Sequence, residues 1–433
     1  MNRLFAPFLA AALAASVAVA DDAPVLTLRD AVAAALTRSP GVDAAEWARE
    51  ESAAGARLAR DMFRPQAWLS TTPGYASGLP VAVAGRVPAI AGIELRQTLY
   101  DPSLRAGTFD AGAADADRAG AAEAARLETA RATIVLYARC RSDLAGRNAA
   151  AARVAALQEI AAHVDARRGE GRETELAAER ASLALARARQ RLLDAESETE
   201  LDFRELRLAA GLPPGSTPAL PDDPGAALPS PTADREAIRA SDPLLRALDR
   251  ELALRQAAAR ARAHPATPVV EAEAQYWRLS RANGYDRYYR QFKADDWSVG
   301  LAVTVPLFSG GRFAEERRRA ESGVRQVEAR ARARRDALEI LLSRREAALD
   351  RALSAVALAR RARGVARQAA DEAAALRREG RGSADAPAER GADLSDADEE
   401  VARAELALAE ARGDALAASG ELLPFFSRSP VPR

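Results

Sequence analysis

Few side chains in this sequence have the type and spacing to do chemistry. Cys140 is the only cysteine, so an internal disulfide is impossible. It lies in "IVLYARCRSDL", an apolar-flanked helical run, and reads as a small buried helix residue rather than a reactive thiol. The two histidines, His163 and His264, stand about a hundred residues apart without ligand-spaced partners, which argues against a metal centre. Neither a Gly-rich phosphate loop nor a G-x-S-x-G elbow occurs. The sequence therefore offers no catalytic, cofactor-binding or metal constellation, and no enzyme is expected. What it does offer is two glycine turns flanked by acids. "RRGEGRETELAAE" carries Gly171, Thr174, Glu175 and Glu179; "RREGRGSADAPAER" carries Gly380, Ser383, Asp385 and Glu389.

The elements that must hold those turns are long helices. Pro102 to about Arg168 contains no interior proline, and Arg312 to Arg378 contains none at all. At ~1.5 Å per residue each helix would reach about 100 Å. That is too long for a globule and implies a coiled assembly. Towards the C-terminus Val401, Ala404, Leu408, Ala411, Ala415, Ala418 and Leu422 alternate spacings of three and four, a heptad seam. The Arg/Glu runs between are solvated faces with i,i+4 pairs.

Four short stretches read as strands. Val270, Ala272, Ala274 and Tyr276 share one face, while Glu271, Glu273 and Gln275 share the other. Trp297, Val299, Leu301, Val303 and Val305 alternate with Ser298, Gly300, Ala302 and Thr304. In the first half Ile93, Leu95 and Leu99 alternate with Glu94, Arg96 and Thr98, and Gln66–Thr72 is the expected partner. Apolar-out, polar-in alternation with aromatics at the ends is the pattern of an outer-membrane barrel wall. Trp68, Tyr276, Trp277 and Trp297 are its expected membrane-strand aromatics, because bilayer interfaces attract Trp and Tyr. Tyr285, Tyr288, Tyr289 and Phe292 add to the same aromatic cluster. Four strands cannot close a transmembrane barrel, and an open edge cannot face lipid, so several chains would share one.

The chain also repeats itself. Pro40 to Pro65 matches Pro243 to Pro268 in length and character. "LRQTLYDPSLR" matches "VTVPLFSGGR", Gly171 matches Gly380, and Gly211 matches Gly420. The offset stays at about two hundred residues. The expected organisation is repeat 1 over 21–210, a proline-rich linker over 211–232, and repeat 2 over 233–433. Residues 1–20 read as an export signal: Arg3, an apolar core from Leu4 to Val19, and an A-x-A site at Ala18-Val19-Ala20. The 62 basic and 62 acidic residues balance, which gives no basic field for nucleic acid.

With these features in place the sequence resembles the TolC-like outer-membrane efflux protein family. The resemblance rests on "LTLRDAVAAALTRSPGVDAA", "GIELRQTLYDP", "DWSVGLAVTVPLFSGGR" and the four glycines, and it covers nearly all the chain after the signal. It implies a mostly α fold with a small β part. Three copies would build an outer-membrane β-barrel, four strands per chain, continuous with a long periplasmic α-helical barrel. It further implies docking to a periplasmic adaptor protein and an inner-membrane pump, contact with outer-membrane lipid, and passive export in tripartite efflux or type I secretion. In that family each glycine turn carries a small polar residue three positions on and an aspartate six on. Here Thr174 and Ser383 match, but Ala177 and Ala386 stand at the aspartate positions. Glu175, Glu179, Asp385 and Glu389 are then either a substitute ring of charge at the tip or ordinary solvated helix-start acids favoured by the dipole. A periplasmic coiled-coil adaptor is the alternative function; it would not need the repeat or lipid-facing aromatics. The cargo is not written in the sequence.

Overall fold

The computed structural model describes residues 25–72, 89–231, 234–263, 267–279, 295–307, 310–381, 383 and 385–427. The expected export signal, His264 and the aromatics from Tyr285 to Phe292 lie outside them. In chain order the elements are α1 (Leu28–Arg38), α2 (Pro40–Asp61), β1 (Gln66–Thr72), β2 (Ala89–Tyr100), α3 (Pro102–Gly169), α4 (Glu175–Ala210) and α5 (Pro224–Ala227). There follow α6 (Arg235–Ser241), α7 (Pro243–Ala261), β3 (Val269–Leu279), β4 (Asp295–Thr304), α8 (Arg312–Arg378), α9 (Ala386–Ser419) and α10 (Leu422–Ser427). The fold is mostly helical, and α3 and α8 contain 68 and 67 residues. No described helix is long and apolar enough to cross a membrane.

Local chemistry sets the helix starts. α2, α3 and α7 each begin with proline, directly after Ser39, Asp101 and Asp242. Each preceding side chain accepts an N–H from the first turn: Ser39 from Val42, Asp101 from Ser103 and Leu104, Asp242 from Leu245. Proline has no N–H to lose there, and the oxygen satisfies one of the orphan donors. The helix ends follow one rule at four places. Gly171, Gly211, Gly380 and Gly420 all have φ near +70°, the left-handed region that favours glycine. The N–H of the next residue then donates five residues back: Arg172 to Arg167, Leu212 to Arg207, Arg381 to Leu376, Glu421 to Leu416.

The described residues form two compact units, each drawing chain from both sequence halves. One gathers residues 25–34, 133–227 and 356–406; the other gathers the described residues of 35–132, 228–355 and 407–427. In the first unit Tyr137, Ile134, Phe203 and Leu206 are fully buried with Leu28 and Val32. The Tyr137 hydroxyl donates to the Leu26 carbonyl at 2.9 Å and accepts from the Asp222 N–H at 3.4 Å. The proline-rich stretch, expected to be a linker, is packed here. Leu26 donates to the Ala219 carbonyl at 2.9 Å, Asp222 Oδ2 caps Leu28 at 2.7 Å, and Pro218 and Pro224 are buried. Proline loses little chain entropy on ordering, so such a stretch can be fixed by few contacts.

In the second unit Ile238, Leu245, Leu338, Leu342 and Ala418 form the apolar core. The expected heptad seam needs one correction. Val401, Leu408, Ala411 and Ala418 are buried, but α9 ends at Ser419, and Leu422 is buried from α10. Ala409 and Leu416 are also fully buried, because α9 packs through a broader stripe than a two-position seam.

Candidate functional site: the exposed sheet and the two hairpin turns

The second unit carries one four-stranded antiparallel sheet in the order β1-β2-β3-β4. The register decides which side chains share a face. Leu69, Ile93, Tyr276 and Trp297 lie in one cross-strand row, and Ala67, Leu95, Ala274 and Val299 in another on the same face. Ala272 with Leu301 and Val270 with Val303 extend that face. It is bare: Trp297, Val299, Leu301 and Val303 are 73%, 74%, 68% and 63% exposed. Among the described residues no element of the chain covers this face, and a contiguous exposed apolar patch is the usual mark of an interaction surface.

The opposite face is polar. Trp68, Glu94, Gln275 and Ser298 form one row, and Gln66, Arg96, Glu273 and Gly300 the next. Arg96 bridges Glu94 at 2.9 Å and Glu273 at 3.1 Å. The four expected aromatics all lie on the strands and divide between the two faces. Tyr276 and Trp297 lie on the apolar face; Trp68 and Trp277 lie on the polar one. The physical reason is the period of two: Tyr276 and Trp277 are consecutive and cannot share a face. Trp277 has a different task. Its indole lies across Gly92, where a Cβ would stand 2.1 Å from Cε3. Both outer strands, β1 and β4, have one unpaired edge among the described residues.

The two glycine turns belong to the first unit. In the first, Thr174 caps α4 by accepting the Ala177 N–H at 3.2 Å. A small polar residue three after the glycine is thus a helix cap, and position 177 is its third residue. Glu175 is exposed and held by Arg168 at 2.9 Å, and Glu179 is exposed. In the second turn the Asp385 N–H donates to Ser383 Oγ at 3.4 Å, α9 starts one residue after Asp385, and Glu389 is exposed.

Of the two expectations for these acids, Asp385 does not fit that of a solvated helix-start acid. It is 8% exposed and turned towards α3. Its Oδ1 lies 2.8 Å from His163 Nδ1 and its Oδ2 2.7 Å from Arg167 Nη2. Burial works against the charged form, but the hydrogen bonds and charges of His163 and Arg167 outweigh it and hold the carboxyl below its usual range. Arg377 adds a second tie from α8 to Glu159 of α3 at 2.9 Å. Gly171, Thr174 and Glu175 thus sit together in one turn, and Gly380, Ser383, Asp385 and Glu389 in or beside the other. His163 and Arg167 were missed from sequence. They lie more than two hundred residues from Asp385, and no local pattern points to them.

The first unit also holds a polar cavity of about 320 Å³, lined in part by Asp143, Arg147, Arg153, Asp194, Glu198 and Asp396. Burial, then the neighbouring Asp202 carboxyl, push Asp143 up to about 7. Cys140, one turn away, is fully buried and its thiol is pushed up to about 12, chiefly by burial, so it is inert near neutral pH. Among the described residues no three His, Cys, Asp or Glu side chains group as metal ligands.

No protein-family model matches the sequence, and no curated protein matches it. Solved structures do. The outer membrane protein VceC of Vibrio cholerae superposes with a TM-score of 0.69 at 18% identity, over 91% of this chain and 96% of that one. CusC, a transmembrane channel, gives 0.73 at 16%, over 91% and 92%. The CmeC outer membrane channel of Campylobacter jejuni gives 0.73 at 15%, over 91% and 85%. Nearly whole chains match on both sides, so the chain has the fold of the TolC-like outer-membrane channels.

Proposed function

We propose that this chain is the outer-membrane channel of an export system, a passive duct from periplasm to exterior. The observation that carries it is the bare apolar face of an open-edged sheet, on a chain whose fold is that of outer-membrane channels. The described strands have 7, 12, 11 and 10 residues. A tilted strand of about 9–11 residues spans a bilayer. Lipid cannot satisfy the free edges of β1 and β4, so copies must pair edge to edge until the sheet closes. A homotrimer would supply about twelve strands, within the range of closed barrels. The Glu94, Arg96 and Glu273 face would then line water.

On this reading the long helices lie in the periplasm, where they meet an adaptor protein, and an inner-membrane pump supplies the energy. The chain itself performs no catalytic step. The matched helix ends at Gly171 and Gly380, and at Gly211 and Gly420, support an internal twofold repeat. Tripartite efflux and type I secretion are both compatible with such a duct.

The test is single-channel conductance of the purified, detergent-extracted chain in a planar bilayer, with its mass by light scattering on the same sample. A trimer-sized species with defined conductance steps is expected. A water-soluble monomer without conductance would overturn the channel reading and favour a periplasmic adaptor.

A further inference from the structure

β2 ends at Tyr100, and Asp101 hands the chain to α3 at Pro102. Alternation alone would put Tyr100 on the polar face with Thr98. The β2–β3 register shifts between the two, so Tyr100 stands opposite Val270, which pairs with Val303. A bulge of this kind re-aims a side chain. Here it turns Tyr100 onto the apolar face, at the end of the sheet nearest the helices.

Beside Tyr100 lies an open cavity of about 340 Å³ between the start of α3 and the end of α7, all within the second unit. Tyr100, Pro102, Phe109 and Ala257 give it an apolar wall, and Arg105 and Arg260 give it two guanidiniums. Arg105 also stands over the Phe109 ring, 6.0 Å from its centroid. The acids that flank Arg105 in the chain are engaged elsewhere. Asp101 accepts the Ser103 and Leu104 N–H groups, and Asp110 takes Arg255 at 2.8 Å and Arg262 at 2.6 Å. Among the described residues neither Arg105 nor Arg260 has a carboxylate partner.

The other half of the sequence treats the same position differently. Arg312 is the counterpart of Arg105, and Glu316, four residues on, neutralises it at 2.7 Å. Four residues after Arg105 the chain has Phe109 instead. Arg105 also occupies the first turn of α3, where the helix dipole favours negative charge and the chain supplies no acid. Both arginines and the helix start therefore favour an anion. Guanidinium matches phosphate in geometry, two N–H groups to two oxygens.

The place of the cavity selects the anion. Tyr100 makes it continuous with the apolar face. On the reading of that face as a barrel wall, on which this inference rests, this end of the sheet is the periplasmic rim. Lipid headgroups lie at that depth, and tyrosine and arginine are suited to it. Copies pair through the edges of β1 and β4, whereas the cavity uses the inner strand β2, so edge pairing does not itself cover it. We propose that Arg105 and Arg260 hold the phosphate of an anionic membrane lipid, with its glycerol and first acyl carbons against Tyr100, Pro102 and Phe109. The bound lipid ties the barrel to the bilayer at a set depth.

The test titrates the detergent-extracted full chain with dioleoylphosphatidylglycerol and reads retained lipid by native mass spectrometry. Retention is expected on the wild type and on Arg312→Gln. Arg105→Gln combined with Arg260→Gln, at wild-type mass by light scattering, should bind the lipid roughly ten- to a hundredfold more weakly. Lysine at both positions should keep part of the affinity. Dioleoylglycerol, which lacks the phosphate, should not be retained, and inorganic phosphate at equal concentration should not displace the lipid. Equal retention by the wild type and the double glutamine variant overturns the proposal. So does dioleoylglycerol retained as strongly as the phospholipid, full displacement by inorganic phosphate, or no retained lipid because a second copy fills the cavity. Conductance of the same wild-type sample separates this failure from that of the channel reading. Defined steps without site-dependent lipid sink the lipid site alone; a water-soluble monomer sinks both.

Discussion

Replacing Gly92 by alanine is the sharpest probe of the sheet. The new Cβ would stand 2.1 Å from Cε3 and 2.2 Å from Cζ3 of Trp277. Carbon atoms rest at about 3.5–4.0 Å, so the indole or the β2 backbone must give by roughly 1.5 Å. Overpacking of this kind costs about 1–3 kcal/mol. At about 2 kcal/mol the folded-to-unfolded ratio falls roughly thirtyfold. The sign depends on Trp277. With Trp277→Ala already in place nothing obstructs the new methyl, and alanine is favoured over glycine in a strand interior by about 0.5–1 kcal/mol. Gly92→Ala should therefore destabilise the wild type and leave the Trp277→Ala protein unchanged or slightly more stable. The coupling is about 2–3 kcal/mol, the mark of direct contact. Thermal unfolding of the four proteins in detergent, followed by circular dichroism with the mass checked by light scattering, reads it. The reasoning is refuted if Gly92→Ala unfolds with the wild type, or loses equal stability in both backgrounds.

Tyr137→Phe should cost about 1–3 kcal/mol, because the Leu26 carbonyl and the Asp222 N–H lose their common partner; limited proteolysis should find new cleavage near the proline-rich stretch, and an unchanged digestion pattern would count against it. Asp143, raised in the folded state to about 7, is stabilising below the unfolded value near 4, and that contribution is lost as pH rises through 7. The Tm of the wild type minus that of Asp143→Asn should therefore fall from pH 4 to pH 8, and a flat difference would remove Asp143 as the titrating group. Asp385 has the opposite sign: its lowered value stabilises above the unfolded range near 4 and is lost as pH falls below it. Asp385→Asn should loosen the tie to His163 and Arg167 at neutral pH, read as faster protease cutting at the second turn, and should lose its effect near pH 2.

The strands and long helices were legible because their signals are local. Asp101-Pro102 and Asp242-Pro243 announce helix starts, Gly171 and Gly380 announce ends, and Val299-Leu301-Val303 alternates without interruption. The faces of Trp68 and Trp277 were legible too, since parity along a strand is in the sequence: Trp277 follows Tyr276 directly, and Trp68 precedes Leu69. The ties of Asp385 to His163 and of Tyr137 to Leu26 and Asp222 were not legible. They join residues remote in sequence, and a lone histidine or a buried tyrosine carries no mark of its partner. The packing of Pro218 and Pro224 was hidden for another reason: proline density reports an absence of regular structure, not an absence of contacts.

The two unpaired strand edges carry a consequence for inheritance. On the proposed shared barrel no copy can enter the bilayer alone, because a lone sheet would present bare N–H and C=O groups to lipid. Copies must meet first, and each closes the edges of its neighbours. A chain with a spoiled β4 would then disable every assembly it joins. In a cell making sound and spoiled chains equally, random mixing into threes leaves about one assembly in eight intact. A defect confined to one gene copy would be dominant.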